Sequence, residues 1–350
     1  MSVSPITIIG FGISGQLLLC QLLEFVKGSQ ITVIDSDFSG GDLMCKYSAI
    51  QSNTTIGQKV ERLTQEGAID DWQEIGLWLS KRGKSTDCLP VVDIATDVQR
   101  KGHERVKECT AIYDSVLNLE WDETTKLWTI QFSSTRPSMQ TRILCICTGM
   151  EPRQDDYGVP SIPLSVGLDP PLLKRMVLPG QKVLVVGLSH SGTLAIKHLL
   201  SINDVDITGI YRSDTPFKYD RNGYYGGIKK ESADIADAIL QGDYGNRLTL
   251  LSIKDTLKIS QKVHSANWII QSIGFQSRSI RIHSQKPLWD SKTGECIGYP
   301  QILSFGACNP ATTEYLNRHY DDISICSFLD QIEARLHLLK QQLKDASIIT

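Results

Sequence analysis

The sequence lacks a Cys-x-x-Cys pair, and its nine cysteines are scattered at irregular spacing over 350 residues. The odd number and the irregular spacing argue against a disulfide framework, and the missing pair argues against a dithiol redox relay. Cys145 and Cys147 lie two residues apart in a strand-like run, where small buried apolar side chains are expected. No cluster of histidines and cysteines has metal-ligand spacing, so the sequence predicts no metal site.

The chain also lacks a strong excess of charge of either sign. Lysine and arginine number 36 against 39 acidic residues, and there is no long basic stripe, so we expect no nucleic-acid partner. Hydrophobic residues make up 41% of the chain and charged residues 21%, which is typical of a globular protein. A chain of this length has room for two domains.

We also expect no targeting or membrane segment. Residues 6–26 are apolar enough to mimic one, but no positive charge precedes Lys27, and small and polar residues interrupt the run. The segment therefore has neither the basic start of a signal peptide nor the continuous apolar span of a membrane helix. We expect a cytoplasmic protein with no membrane partner.

The chain does contain two glycine-rich turns, about half its length apart. The first, Gly10-Phe-Gly12-Ile-Ser14-Gly15, follows the apolar run 6–9 and precedes a helix-like stretch. In a dinucleotide-binding turn, the first glycine permits the tight turn, the second lets backbone approach a pyrophosphate, and the third lets the helix pack closely on the strand. The helix N-terminus then offers N–H groups and a partial positive charge to the phosphates.

An acidic residue follows this turn where a nucleotide-binding unit needs one. Asp35 ends the β-branched run 31–34 and lies 20 residues beyond Gly15. A carboxylate at this position can accept hydrogen bonds from a ribose. The alternative is a plain βαβ unit with a surface aspartate.

The second turn, Gly187-Leu-Ser189-His-Ser191-Gly192, follows the run 183–186. Ser189 replaces the middle glycine, and the next strand-like run leads to Arg212 rather than to an acid. A cation there suits the 2′-phosphate of NADP better than the bare ribose of NAD, although an exposed strand-end arginine without this role is the alternative. Two such turns predict two bound nucleotides and electron transfer between them.

Periodicity and turn residues predict the other elements. These are helices at 64–81, 89–109, 190–201 and 325–343, a β-hairpin with arms 113–121 and 126–132, and a buried strand at 142–147. Residues 42–55 are expected to form a loop with short extended pieces, and the proline-rich stretch 151–180 an interdomain linker. The last helix is expected to close the first domain. Its alternative use is a dimer interface, so a homodimer is a further expectation.

The first turn, Asp35, the hairpin, Thr148-Gly149, the second turn, Ile273-Gly274 and Phe305-Gly306 follow one another along nearly the whole chain. This order resembles the two-dinucleotide-binding-domain flavoproteins and is most similar to their flavin-containing monooxygenase and N-hydroxylase branch. The resemblance implies an α/β fold with two Rossmann-like doubly wound domains. An NAD(P)-binding domain at 156–275 would be inserted into a discontinuous FAD-binding domain at 1–155 and 276–350.

Matched position by position, the resemblance also implies which residues bind cofactors. Those implied to bind FAD are Gly10, Gly12, Ser14, Gly15, Asp35, Gly40, Gly41, Thr148, Gly149 and Gly306. Those implied to bind NADP, or to lie at the second crossing between domains, are Gly187, Ser189, Ser191, Gly192, Arg212 and Gly274. Asn53 is the implied catalytic residue, placed beside the isoalloxazine and the nicotinamide. A turn asparagine is the alternative, since turns favour this residue.

The implied activity is that of an NADPH-dependent flavoprotein monooxygenase. Its cofactors would be FAD and NADPH, and its partners O₂ and a small substrate with a nucleophilic nitrogen or sulfur. Three family features are absent: the Phe-x-Gly-x-x-x-His signature before the second turn, the tryptophan after Gly41, and the acid after Gly306. Two alternatives therefore stay open: an NAD(P)H-dependent flavin reductase or oxidase without oxygen insertion, and a non-catalytic nucleotide-binding sensor or partner protein.

Overall fold

The computed structural model describes residues 3–52, 54–219, 228, 231–278, 280–309 and 324–350. The chain forms two units. The first, called the split unit, comprises Met1–Met150 and Ser277–Thr350. The second, called the inserted unit, comprises Glu151–Gln276.

Strands and helices alternate along much of both units. The strands are β1 (Ser4–Ile9), β2 (Ile31–Asp35), β3 (Thr110–Tyr113), β4 (Val116–Asp122), β5 (Leu127–Phe132), β6 (Met139–Ile146), β7 (Met150–Pro152), β8 (Ser161–Ile162), β9 (Lys182–Val186), β10 (Asp206–Tyr211), β11 (Leu248–Ser252), β12 (Trp268–Gln271), β13 (Phe275–Ser277), β14 (Arg281–Ile282) and β15 (Ile302–Ser304). The helices are α1 (Ile13–Leu23), α2 (Asp42–Cys45), α3 (Ile56–Leu63), α4 (Asp70–Ser80), α5 (Val91–Arg105), α6 (Leu164–Gly167), α7 (Pro170–Met176), α8 (His190–Leu200), α9 (Glu231–Gln241), α10 (Thr256–Ser265) and α11 (Ile325–Asp345). Short 3₁₀ turns lie at Gly28–Gln30, Val106–Glu108, Gly245–Arg247 and Gly306–Cys308.

The split unit is built on a sheet with the strand order β14-β4-β5-β6-β1-β2-β3, and β15 also pairs with β6. Strand β1 lies between β6 and β2 and is parallel to both, with Ile9 opposite Ile146 on one side and Ile34 on the other. The carboxyl ends of these three central strands therefore lie at one edge of the sheet. Ligands of open α/β sheets bind at this edge.

Helix α1 explains the membrane-like stretch near the start of the chain. Its residues from Ile13 to Leu22 are all buried, between the sheet and helices that include α5 and α11. A helix that is apolar on all sides needs such a covering. None of the described helices combines the length and apolar character required to cross a lipid bilayer.

The inserted unit contains a parallel sheet with the strand order β11-β10-β9-β12-β8. Four residues of β9, from Val183 to Val186, are buried, as expected for a central strand covered on both faces. Helix α8 connects β9 to β10, so this unit repeats the strand–turn–helix–strand arrangement of the split unit. The predicted α/β fold class, with two units each built around parallel strands, is confirmed. In the split unit, the pairs β4–β5 and β5–β6 are antiparallel beside those parallel strands.

The predicted helix at 64–81 was wrong in its bounds. Within this range the structure has only α4, at Asp70–Ser80. Helix α3, which was not predicted, ends before the range at Leu63, and residues 64–69 separate the two helices. Helix α3 begins at a capping box in which the Thr55 hydroxyl accepts from the Gln58 N–H, and Gln58 Oε1 accepts from the Thr55 N–H at 2.9 Å. Gly67, with φ +82°, lies in the break, because this backbone conformation cannot continue a helix.

Three other local predictions were also wrong in part. The predicted loop at 42–55 contains helix α2. Tyr113 ends β3, which pairs with β2, rather than opening the hairpin. The predicted linker at 151–180 contains β8, which joins the second sheet beside β12, and α7, whose start is capped by Asp169 and has proline in its first turn. Proline favours the first turn of a helix, so proline content alone does not indicate a linker.

Candidate functional site

The first glycine turn has the geometry that a pyrophosphate cradle requires. A Cβ on Gly10, which has φ +95°, would lie 2.5 Å from the carbonyl oxygen of Cys147, and one on Gly15 would lie 2.1 Å from that of Gly10. A Cβ on Gly12 would meet nothing closer than 3.8 Å among the described residues. Gly10 and Gly15 are therefore fixed by the fold, whereas a Cβ on Gly12 would make only ordinary van der Waals contact with the backbone of Gly40 and Gly41.

The start of helix α1 is available to an anion. Gly12 is its N-cap residue, makes no side-chain capping bond, and is followed by a first turn without an acidic residue. The first N–H groups of a helix have no partner within the helix and attract negative charge. These groups fit a phosphate.

Asp35 connects the end of β2 to this turn. Its Oδ2 accepts from the Phe11 N–H at 2.6 Å, and its Oδ1 accepts from the N–H groups of Asp37 and Phe38 at 3.1 and 3.0 Å. The carboxylate is half-buried, so part of its surface remains accessible. This arrangement fixes the acid beside the glycine turn, where a ribose hydroxyl of a bound dinucleotide could donate to it.

Two other glycine-containing segments lie against the first turn. Gly40 and Gly41 both have positive φ, and a Cβ on Gly41 would lie 3.0 Å from the Cα of Gly12. Gly306, with φ +74°, is placed so that its Cβ would lie 2.4 Å from the side chain of Ser14. Its N–H donates to Gln331 of α11. The structure thus brings segments near positions 12, 41 and 306 together.

The second turn has nearly the same backbone geometry as the first. A Cβ on Gly187, which has φ +88°, would lie 2.3 Å from the carbonyl oxygen of Ser272, and one on Gly192 would lie 1.9 Å from that of Gly187. Ser189 takes the place of Gly12 as N-cap and has nearly the same backbone conformation, φ −81° and ψ −168° against φ −71° and ψ −171°. Serine is therefore accommodated here. Ser191 lies in the first turn of α8, which contains no acidic residue.

Arg212 occupies a slightly different place from the one that its spacing suggested. The Gly10 N–H donates to Ile34, and the Gly187 N–H donates to Ile210, so Asp35 corresponds to Tyr211 and Arg212 comes one residue later. Arg212 is exposed, and within the described part of the chain it forms no ion pair. The position of the ribose-binding acid is thus neutral in the inserted unit, and a cation follows it.

The segments at which the chain leaves and re-enters the split unit are joined by Arg278, which the sequence analysis missed. The Thr148 hydroxyl donates to the Arg278 carbonyl at 2.6 Å, and the Arg278 N–H donates to the Gly149 carbonyl at 3.0 Å. The guanidinium donates to Asp42 Oδ2 at 2.7 Å, directly after the glycine pair. No feature of the sequence indicated this contact, since Asp42 and Arg278 lie 236 residues apart.

Burial and the nearby Asp42 carboxylate raise the pKa of Tyr47 to about 12, while Arg278 acts in the opposite direction. The phenol is therefore neutral near pH 7.

In the inserted unit, Gly274 has φ +96° and open space around its Cβ position, and its carbonyl accepts from the Arg153 N–H at 2.9 Å.

A double-mutant cycle tests the Asp42–Arg278 pair. We expect Asp42→Asn and Arg278→Gln each to lower the free energy of unfolding, with a coupling of about 0.5–1 kcal/mol, because both side chains are partly exposed. Urea unfolding of the two single variants and the double variant measures the coupling. Strict additivity of the two losses would mean that the ion pair does not join these segments.

Asn53 lies outside the described residues, so its role remains a prediction. Its neighbours Ser52 and Thr54 are described, and the Thr54 N–H donates to the Ser52 hydroxyl at 3.2 Å. The buried Lys59, at 2% exposure, donates from Nζ to the same hydroxyl at 2.8 Å. Lys59 was also missed from sequence, since a single lysine on a helix gives no signal of burial.

Buried cysteines near the first turn do not resemble a redox-active thiol pair. Burial raises the pKa of Cys147 well above its usual value, with smaller contributions from Cys308 and Cys145, while a hydrogen bond from Ser14 acts in the opposite direction. Burial also raises the pKa of Cys145 to about 12. Thiols that remain protonated are poor nucleophiles in disulfide exchange.

No protein-family model matches the chain. Monooxygenase AgnR1 of Paecilomyces divaricatus is 24% identical over 304 residues, which cover 77% of this chain and 78% of AgnR1. The ornithine N-hydroxylase of Kutzneria, in a structure with FAD, NADP⁺ and L-ornithine, is 13% identical, with a TM-score of 0.64 over 97% of this chain and 100% of its own. The chain has the fold of the two-dinucleotide-binding-domain flavoproteins. This confirms the resemblance inferred from the sequence.

Flavoproteins of this fold include reductases as well as monooxygenases. The bacillithiol disulfide reductase Bdr of Staphylococcus aureus is 13% identical, with a TM-score of 0.62 over 99% of both chains. The fold is therefore compatible with more than one reaction, and the reaction has to be inferred from the residues of this chain.

Proposed function

We propose that this flavoprotein is an NADPH-dependent monooxygenase that transfers one oxygen atom from O₂ to a small substrate with a nucleophilic nitrogen or sulfur. The observation that carries the proposal is the presence of two matching glycine turns in one chain, each at the start of a helix that has no side-chain cap and no acidic residue in its first turn. The similarity to a monooxygenase over most of both chains supports the choice of reaction.

The residues of the split unit would hold FAD. The turn from Gly10 to Gly15 and the start of α1 would bind the pyrophosphate, and Asp35 would bind the adenosine ribose. Gly40-Gly41, Thr148-Gly149 and Gly306 would allow the backbone to approach the flavin closely. The positive φ of Gly40, Gly41, Gly149 and Gly306 supports this role, because these conformations strain other residues.

The residues of the inserted unit would hold NADPH. Gly187, Ser189, Ser191 and Gly192, with the start of α8, would bind its phosphates, and Arg212 would bind the 2′-phosphate. When bound, the cofactors would supply the redox chemistry, namely a hydride from NADPH and activation of O₂ at the flavin, with one oxygen atom going to the substrate and the other to water. Gly274 would mark the second crossing between domains.

Asn53 remains a predicted contact of flavin and nicotinamide. An Asn53→Ala variant with unchanged rates of reduction and oxygenation would contradict this role.

Disulfide reduction is the less favoured function of this fold for the present chain. The sequence has no Cys-x-x-Cys pair, and burial keeps Cys145 and Cys147 protonated near neutral pH. A flavin reductase or oxidase without a dithiol is the competing proposal. The two differ in the fate of O₂, since an oxidase returns both oxygen atoms as hydrogen peroxide.

The test is an assay with NADPH, ¹⁸O₂ and a panel of primary amines, hydroxylatable amino acids and thioethers. We expect one product to gain a single ¹⁸O atom, with one NADPH consumed per product formed. Hydrogen peroxide equal to the NADPH consumed, without labelled product from any compound, would support the oxidase instead.

A further inference from the structure

We infer that Lys254 is a second cation for the 2′-phosphate of NADP, and that Asp214 opposes it, so that this pair sets the coenzyme preference of the inserted unit. The inference deepens the proposed function and rests on nucleotide binding at the second glycine turn. Sequence spacing did not indicate Lys254, which lies 42 residues beyond Arg212.

The sheet brings the two cations to the same edge. Strands β10 and β11 are parallel, and Tyr211 lies opposite Ser252. The Ile253 N–H donates to the Tyr211 carbonyl at 2.7 Å, so the pairing continues just past the strand ends. Arg212 is therefore level with Ile253, and Lys254 lies one residue further along, past the end of β11. The glycine turn after β9 lies at this same edge of the sheet.

Local hydrogen bonds hold the backbone on either side of Lys254. The Asp255 N–H donates to the Ser252 carbonyl at 2.8 Å, and the Ser252 N–H donates to Asp255 Oδ2 at 3.3 Å. The lysine side chain itself is 75% exposed. A lysine on a fixed turn can reach a ligand phosphate without rearrangement of the backbone.

Asp214 lies two residues beyond Arg212 along the chain and contacts Lys254 in space. Its Oδ1 is 3.5 Å from Lys254 Nζ, and its side chain is 98% exposed. Such an exposed, long contact contributes little to stability, so a phosphate can take over the lysine at small cost. Arg212 and Lys254 are two cations at this edge, beside the carboxylates of Asp214 and Asp255, and it is these cations that would attract a 2′-phosphate more than a 2′-hydroxyl.

The two charges predict effects of opposite sign. Removing Lys254 should weaken binding of a nucleotide with a 2′-phosphate and leave a nucleotide with a 2′-hydroxyl unchanged. Removing the charge of Asp214 should strengthen binding of the 2′-phosphate, because it releases Lys254 and removes a repulsion. A surface lysine without a role in nucleotide binding would produce neither effect.

The experiment is calorimetric titration of the full-length protein with adenosine 2′,5′-bisphosphate and with 5′-AMP, which differ only in the 2′-phosphate. We expect Lys254→Gln to weaken binding of the bisphosphate about fivefold and Asp214→Asn to strengthen it about two- to threefold, both without a change for 5′-AMP. Lys182→Gln is the matched control, because Lys182 is an exposed lysine at the opposite end of the same sheet. It should leave both affinities unchanged.

The outcomes separate the inference from the function on which it rests. Wild-type protein that binds neither nucleotide would contradict the proposed coenzyme site itself. If the wild type binds both nucleotides, equal effects of Lys254→Gln on the two, or no effect on either, would overturn the inference while leaving the site in place. The inference would also be overturned if Arg212→Gln abolished the preference for adenosine 2′,5′-bisphosphate over 5′-AMP while Lys254→Gln left this preference unchanged.

Discussion

Replacing Gly15 with alanine should yield a protein that no longer retains FAD. The new Cβ would lie 2.1 Å from the carbonyl oxygen of Gly10, which is backbone and cannot move without opening the turn. Overpacking of this kind costs at least about 1–3 kcal/mol, and here the shift falls on the groups proposed to hold the pyrophosphate. The measurement is the amount of FAD released per mole of purified protein.

Gly67→Ala is the matched control in the same unit. Gly67 also has a positive φ, of +82°, but it is exposed and its Cβ position is open. Alanine there should cost about 1–2 kcal/mol of backbone strain and leave FAD content unchanged. Circular dichroism and binding of adenosine 2′,5′-bisphosphate show whether the Gly15→Ala chain is folded. Folded Gly15→Ala protein with full FAD content would contradict the assignment of this turn.

Replacing Gly192 with alanine should weaken the binding of NADPH without affecting the binding of FAD. Its Cβ would lie 1.9 Å from the Gly187 carbonyl oxygen, in the inserted unit. We expect the variant to keep its FAD and to lose at least about 100-fold in affinity for NADPH, equivalent to about 2.7 kcal/mol. Flavin reduction by NADPH under anaerobic conditions, followed in a stopped-flow instrument over a range of concentrations, measures this loss.

Gly242→Ala serves as the control for the inserted unit. Gly242 has φ +85° with open space around its Cβ position, so alanine there strains the backbone without touching the second turn. It should reduce stability slightly and leave reduction by NADPH unchanged. If the flavin of the Gly192→Ala variant were reduced at the wild-type rate at the same NADPH concentrations, the coenzyme would have to bind elsewhere.

The features that could be predicted from the sequence are those encoded in short stretches of chain. The apolar run before Gly10, the glycines themselves and the helix-like stretch after them lie within about 20 residues, and local signals of this kind predict a strand–turn–helix unit. The same holds for the second turn. This repetition predicted two bound nucleotides, and the order of motifs along the chain carried the resemblance that implied the α/β flavoprotein fold.

The features that could not be predicted depend on contacts between distant residues. Ile162 joins the second sheet only because it pairs with Ile270, more than 100 residues away. The Arg278–Asp42 ion pair joins residues 236 apart. Lys59 lies on a short helix where its burial follows from tertiary packing alone. No periodic pattern reports such contacts, since periodicity describes one element and not its neighbours.

The same distinction explains why the cofactors can be proposed with a clearer basis than the substrate. Phosphate binding depends on backbone geometry at glycine turns, and the structure supplies that geometry twice. Substrate binding depends on side chains of loops, whose sequence does not determine a pocket shape. The ¹⁸O₂ assay is therefore the step that connects the fold to a reaction.

The central claim is that one chain binds FAD and a reduced nicotinamide coenzyme and passes electrons between them. The most direct test is the visible absorption spectrum of the purified protein under anaerobic conditions, recorded before and after the addition of NADPH. We predict a yellow protein whose flavin bands bleach on addition of NADPH and return when air is admitted. A colourless protein that does not take up added FAD, or a yellow protein that NADPH does not bleach, would contradict the account.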